Sequence, residues 1–274
     1  MKVAICYFGK IGVPEGDEVL AANIPDSVKH LENCYKSLEK YIIKNNRNCD
    51  FDIFIHSWSD KYNDEIVDIL KPNGHKIEPQ ISFLQNALTH FKKHKKYKSF
   101  IEMIKFKMKF IISEDYKDEY YSYLIDTLQK LYSRWYSTLQ VNILKNKYEE
   151  TNNFKYDLVM LNRFDNFFYN YLDLSKIDHS KIYSSKWDCG KNIFLQQKNF
   201  DNKHTQDYWY ISSSENMNIF CQLFNFLEDY SPCHHRSSFQ HMKKFLGLKK
   251  MDYILELRKD YEVYRLAKKY KYYE

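Results

Sequence analysis

The chain alternates between short runs that are apolar throughout and longer stretches in which apolar residues recur every three or four positions. Lys2 to Phe8 carries Val-Ala-Ile-Cys-Tyr-Phe and meets Gly9 and Gly12 directly, the pattern of a buried strand that ends in a loop. After Pro25, Asp26 is placed to cap a helix in which Val28, Leu31, Tyr35, Leu38 and Ile42 fall three or four apart. Asp50 to His56, DFDIFIH, is a second apolar run, and it stops at Ser57-Trp58-Ser59-Asp60. Strand, helix and strand of these lengths make the unit from which a right-handed parallel crossover is built. A third short strand is predicted within His75 to Phe83, in the neighbourhood of Pro72, Gly74 and Pro79.

From Asn86 to Glu150 there is no Gly or Pro, and Leu124, Leu128, Leu131, Trp135, Leu139 and Ile143 form a stripe at helical spacing. The region therefore reads as a helical insertion over residues 86–150. Within it Phe106, Met108 and Phe110 alternate with Lys105, Lys107 and Lys109, a pattern read as helix whose lysine stems lie along apolar surface. Tyr156 to Leu161, YDLVML, is the next buried strand, with Asn162-Arg163-Phe164-Asp165-Asn166 at its carboxyl end. A short strand near Lys181 to Ser185 follows, then a loop with Trp187, Asp188 and Gly190, a strand near Tyr208 to Ile211, and a helix over Ser214 to Leu227. Residues 234–274 read as a C-terminal helical segment with an extended piece inside it. No repeat, low-complexity stretch or linker breaks the series, so one α/β domain spanning 1–274 is expected.

Composition narrows the function classes. Aromatic residues make up 18% of the 274, with 25 Tyr and 19 Phe, which excludes disorder over most of the chain. Charges interrupt every apolar stretch before it reaches membrane-spanning length, and Met1 to Phe8 meets Gly9 and Lys10 too soon for a signal-peptide core, so a cytoplasmic location is expected. The six cysteines include no C-x-x-C pair, so neither a zinc site nor a disulfide framework is written into their spacing. The net charge of +6 and the many tyrosines raise a nucleic-acid-binding reading, but basic residues are interspersed with acidic ones, and the apolar strands point to a buried sheet with a cleft.

In an open α/β sheet the ligand crevice lies outside the carboxyl ends of the strands, which directs attention to the polar residues there. Gly9-Lys10-Ile11-Gly12 would let backbone approach a diphosphate, with Lys10 supplying charge, although neither G-x-G-x-x-G nor a Walker sequence is present. His56, Trp58 and Asp60 would suit a nucleotide pocket, the indole for base stacking and the carboxylate for ribose hydroxyls, or else pack at the sheet edge. Arg163 and Asp165 are either a structural pair, or Asp165 ligates Mg²⁺ or Mn²⁺ on a diphosphate while Arg163 neutralises further charge. Asp207, just before a strand, is a candidate general base or acceptor-binding group, with a cap as the bland alternative. His234 and His235 follow Pro232 and would complete a metal shell or form a surface pair.

The ordered series KVAICYFG, CDFDIFIHSW, WYSTLQVNILKNKYEETNNFKYDLVMLNRFD and DYWYISSSENMNIF resembles a family of small GT-A-type glycosyltransferases found in bacterial capsule and O-antigen clusters and in large DNA viruses. The likeness runs over most of residues 1–230. It implies a GT-A-like, Rossmann-type, mostly parallel sheet flanked by helices, a nucleotide-sugar donor, and a glycan or glycoconjugate acceptor in polysaccharide biosynthesis. It implies further that Phe8, Gly9, His56 and Trp58 border the nucleotide-sugar site, that Tyr136, Ser137 and Asn142 face the same pocket, and that Asp207 is the base; with Asp207 as base the transfer would invert at the anomeric carbon. Arg163 and Asp165 stand where such enzymes carry D-x-D, so one carboxylate is left for a divalent cation, Mn²⁺ or Mg²⁺, which His234 and His235 would help to hold. A non-catalytic nucleotide-sugar binder is the alternative on the same residues. At the C-terminus Leu266 to Tyr273 alternates cations with rings, which suits either a solvated helix end or peripheral contact with an anionic membrane.

Overall fold

The computed structural model describes residues 1–11, 27–94, 115–186, 205–257 and 259–263. Its strands are β1 (Lys2–Gly9), β2 (Asp50–Ser57), β3 (Gly74–Ile77), β4 (Leu158–Arg163), β5 (Asn166–Phe168), β6 (Ile182–Lys186), β7 (Trp209–Ser212), β8 (Met251–Glu256) and β9 (Tyr261–Val263). Seven of them form one sheet in the order β3-β2-β1-β4-β7-β6-β8, while β5 and β9 pair as an antiparallel ribbon. Parallel pairing joins β3, β2, β1 and β4, and only β7 runs against the rest of the large sheet. This is an α/β protein with a mostly parallel mixed sheet, compatible with a Rossmann-like arrangement.

Residues Val3 to Phe8 of β1 are all 2% exposed or less, so both of its faces need a covering layer. On one face Val3, Ile5, Ile53, Ile55, Leu158 and Met160 meet Leu31 and Leu38 of α1 (Ser27–Leu38) and Ile66 and Leu70 of α2 (Asn63–Leu70). On the other, Ala4, Cys6, Phe54, Val159 and Leu161 meet Leu128, Leu131, Tyr132 and Trp135. Those four belong to α4 (Asp115–Thr151), whose 37 residues run for about 55 Å and which packs beside α3 (Leu84–His94). Helix α5 (Ser214–Cys221), a 3₁₀ stretch over Gln222–Asp229 and α6 (His234–Phe245) complete this layer.

The crossover expected from the first fifty-odd residues is present as β1, α1 and β2. The third strand is only Gly74–Ile77 and ends before Pro79, which has no N–H to lend to a ladder. On α4 the apolar stripe holds through Trp135 and then departs from the expected line. Thr138, Val141, Asn142, Lys145 and Glu149 are buried, whereas Ile143 is 43% exposed. The cause is a buried polar patch, described below, that turns this part of the helix toward the sheet on its polar side. Helix α6 ends at Phe245, just before Gly247 at φ 83°, and the chain then continues as strands β8 and β9, so the C-terminal segment is less helical than expected. The candidate residues Gly12, Asp26, Lys105 to Phe110, Trp187, Asp188, Gly190 and Leu266 to Tyr273 lie outside the described residues. Among those described, no helix is long and apolar enough to cross a membrane.

Lys145 and Glu149 are both fully buried and 3.1 Å apart. Lys145 also donates to Ser214 and, at 3.0 Å, to Asn218, while Glu149 accepts from Ser214 Oγ and from the backbone N–H of Tyr156. A pair so enclosed is held by its partners, and removal of one charge strands the other. Glu149→Gln is expected to cost about 3 to 5 kcal/mol in urea unfolding, and the double replacement Lys145→Met with Glu149→Leu markedly less.

Two buried histidines set the acid limit. His90 donates from Nε2 to the Tyr230 carbonyl at 3.1 Å, and His241 donates from Nε2 to the Ile219 carbonyl at 2.9 Å. Burial pushes each down from 6.5 to about 4, so the folded chain keeps them neutral where the unfolded chain takes up protons. Their contribution is intact above pH 6.5 and falls as the pH drops toward 4, by up to about 3 kcal/mol for each. The urea midpoint is expected to be flat from pH 8 to 7 and to decline below about 6.5, with a shallower decline in His241→Gln.

Candidate functional site

Because β1, β2 and β4 are parallel and in register, Phe8 lies opposite both His56 and Arg163, and the three carboxyl ends reach one edge together. Chain order reverses between β1 and β4, which is the switch point where open sheets leave a crevice. Strand β7 is antiparallel, so its start, not its end, comes to that edge and carries Asp207 and Tyr208 with it. A cleft of about 830 Å³ opens there. Phe8, Gly9, Lys10, Trp58, Arg163, Asp165 and Asp207 line it from the sheet, Gln129, Ser133 and Arg134 from α4, Gln80 to Phe83 from the loop after β3, and His235 from the first turn of α6.

Gly9 adopts φ 110°, a conformation that side chains resist, although an added Cβ would meet nothing within 4 Å. Its N–H donates to Ser137 Oγ at 3.0 Å and its carbonyl accepts from the Trp58 N–H at 3.0 Å. Lys10 follows at the cleft wall. The turn is thus tied both to β2 and to α4 before any ligand arrives.

His56, expected at the pocket, stands behind it. It is fully buried, with Nδ1 2.7 Å from Ser137 Oγ and Nε2 3.0 Å from Glu78 Oε1, and burial holds its imidazole below the ordinary value. Tyr136 stacks on Trp58 with ring centroids 5.5 Å apart. His56, Tyr136 and Ser137 therefore support the Trp58 and Gly9 walls and do not line the cleft. Asn142 is buried farther along α4, and neither it nor Asp60 lines the cleft.

Two arginine–aspartate pairs line the cleft. Arg163 holds Asp165 with two parallel hydrogen bonds, Nε to Oδ1 at 2.8 Å and Nη2 to Oδ2, and its guanidinium lies over the Tyr208 ring. Burial opposes the charge on Arg163, but Asp165, Asp207 and Tyr208 outweigh it and hold the group above its ordinary value. Arg134 donates Nη1 to Asp207 Oδ2, with side-chain exposures of only 10% and 8%. Its Nε and Nη2 are buried without a partner, and its guanidinium lies 5.1 Å from the Phe8 ring centroid. Burial draws Arg134 below its ordinary value, against the pull of Asp207. His235 donates Nδ1 to the Thr205 carbonyl at 2.8 Å and stands 3.5 Å from Asp207 Oδ1.

The expected metal set is not assembled. Both oxygens of Asp165 are taken by Arg163, His235 faces Asp207 and Thr205, and the side chain of His234 lies outside the described residues. Among the described residues no three His, Cys, Asp or Glu side chains meet as a group that could hold a metal ion. These residues do not fit a divalent cation.

Sequence reading missed Arg134. The available signal was an arginine on the buried face of α4, three residues after Leu131 and four before Thr138, where an unpaired charge is costly. Its partner lies 73 residues away, so nothing local named it. No family model matches the chain, and no curated protein matches it.

The two pairs differ in burial and so in worth. Asp207→Ala leaves a guanidinium buried and unpaired and is expected to cost about 3 to 5 kcal/mol in chemical denaturation, whereas Asp165→Ala, from a pair 26% and 22% exposed, is expected to cost about 1 kcal/mol.

Proposed function

We propose that the chain is a cytoplasmic glycosyltransferase of GT-A type, which moves a sugar from a nucleoside-diphosphate donor to a hydroxyl of a glycan or glycoconjugate in polysaccharide biosynthesis. The observation that carries this reading is the convergence, at the switch point, of a glycine turn with Lys10, the Trp58 indole, the Arg163–Asp165 pair and the Asp207 carboxylate in one cleft. The order of motifs along the chain, which resembles that enzyme family, supports it independently. The volume, about 830 Å³, suits a nucleotide-sized ligand.

In the proposed transfer the bond from the anomeric carbon to the diphosphate oxygen breaks, and its electron pair leaves with the nucleoside diphosphate. The acceptor oxygen forms the new bond to that carbon, and its proton passes to Asp207. Arg134 fixes the direction of the Asp207 carboxylate, and Asp165 acts through Arg163 as a positioning residue. The Gly9 turn brings backbone and Lys10 to the diphosphate, while Trp58, expected to stack the base, is 3% exposed with Tyr136 stacked on it and backs the cleft wall instead. With a base on the acceptor and no nucleophile of the chain in the step, the configuration at the anomeric carbon inverts.

A thermal-shift panel of UDP-, GDP-, CDP- and dTDP-sugars tests the reading. One donor is expected to raise the melting temperature at millimolar concentration, and no stabilisation by any of them, with or without Mn²⁺, counts against it. With that donor, Asp207→Asn is expected to lower kcat by about 10² to 10⁴ while KM for the donor stays near its wild-type value. A loss confined to KM would remove Asp207 from the role of base.

A further inference from the structure

Among the described residues three carboxylates line the cleft, and each already has its cation. Asp126 pairs with Lys130 at 2.6 Å, Asp165 gives both oxygens to Arg163, and Asp207 accepts from Arg134. A divalent cation on Asp165 would sit beside a guanidinium bound to the same two oxygens, and like charges at that range repel. Against these three acids the described residues of the cleft carry four cations, Lys10, Lys130, Arg134 and Arg163. The surplus is positioned. Lys10 makes no ion pair among the described residues, and Arg163 has Nη1 left over, since only its Nε and Nη2 hold Asp165. The two stand at the ends of adjacent strands, β1 and β4, whose backbones run about 5 Å apart.

We propose that Lys10 and Arg163 hold and neutralise the diphosphate of the nucleotide donor without a divalent metal ion, Arg134 having cancelled the Asp207 charge that would otherwise repel it. The inference rests on the nucleotide-sugar reading above and goes beyond it in assigning the neutralising charge to side chains. The leaving oxygen then meets Arg163, whose planar fork is held by Asp165 and suits phosphate, and Lys10, which swings in as a point charge.

Calorimetric titration of the full chain with UDP, GDP, CDP and dTDP, once in excess EDTA and once in excess Mn²⁺, decides it. The nucleotide that binds is expected to do so with the same Kd, within about threefold, in both media. Binding about tenfold or more tighter in Mn²⁺ overturns the inference and leaves the donor reading standing, whereas no binding in either medium removes the donor reading and this inference with it. In EDTA, Lys10→Ala and Arg163→Gln are each expected to weaken binding about tenfold or more. Lys10 is exposed and makes no ion pair among the described residues, so its variant keeps the fold, and wild-type affinity in folded samples of both variants overturns the assignment.

Discussion

The central strand β1 has no polar face, and much of the architecture follows from that constraint. A strand buried on both sides must lie inside a sheet with a layer above and another below, which is why α1 and α2 close one face and α4 the other. It must also be flanked on both edges, since an unpaired ladder in the interior would leave backbone groups without partners. Strands β2 and β4 supply those edges in parallel. Once β2 lies to one side and β4 to the other, the chain has turned in opposite directions from β1, and the gap between the two turns is the cleft.

Helix α4 makes the cleft a site. It crosses the sheet on the Phe8 side, and three stretches along it do different work. Arg134 reaches the start of β7, Ser137 bridges the Gly9 turn and His56, and Lys145 with Glu149 anchors the far end under β4 and α5. Arg134, Ser137, Lys145 and Glu149 each reach a partner distant in sequence, so the helix is held in one register against the sheet. Sliding it by a turn would unmake all three connections at once.

What could be read from the residues alone follows the same logic. Strands β1, β2 and β4 were legible because burial on both faces leaves an unbroken apolar run, and α1 because burial on one face leaves a stripe. Asp207 was legible as a strand-flanking carboxylate and candidate base, but the way it reaches the cleft was not. Four residues, Trp-Tyr-Ile-Ser, carry no mark of direction, and only the antiparallel pairing of β7 with β4 brings its start to the cleft edge. His56 shows the opposite limit. It ends a strand, yet strands alternate, and Phe54 and His56 point to the same face, toward α4. Side-chain parity, and not nearness to the strand end, decided that it would lock Ser137 instead of meeting a ligand. The polar turn of α4 around Lys145 was illegible because its reason, Glu149 together with Ser214, joins one partner on the same helix to another 69 residues on.

The charge arrangement of the cleft follows from how deeply each carboxylate sits. A carboxylate left bare in a low-dielectric wall would be unstable by itself and would repel any phosphate that approached. Pairing removes both penalties, and the degree of burial sets how the pairing is done. Asp207, almost enclosed, takes a guanidinium that is itself almost enclosed, and the pair becomes part of the scaffold. Asp165, at the mouth, takes one that stays a quarter exposed and retains a nitrogen for other work. The same residue type thus has two functions a few ångströms apart. Arg134 fixes a carboxylate in place, and Arg163, at the cleft wall, is fixed by one, so that its guanidinium is held in one orientation and has less freedom left to lose.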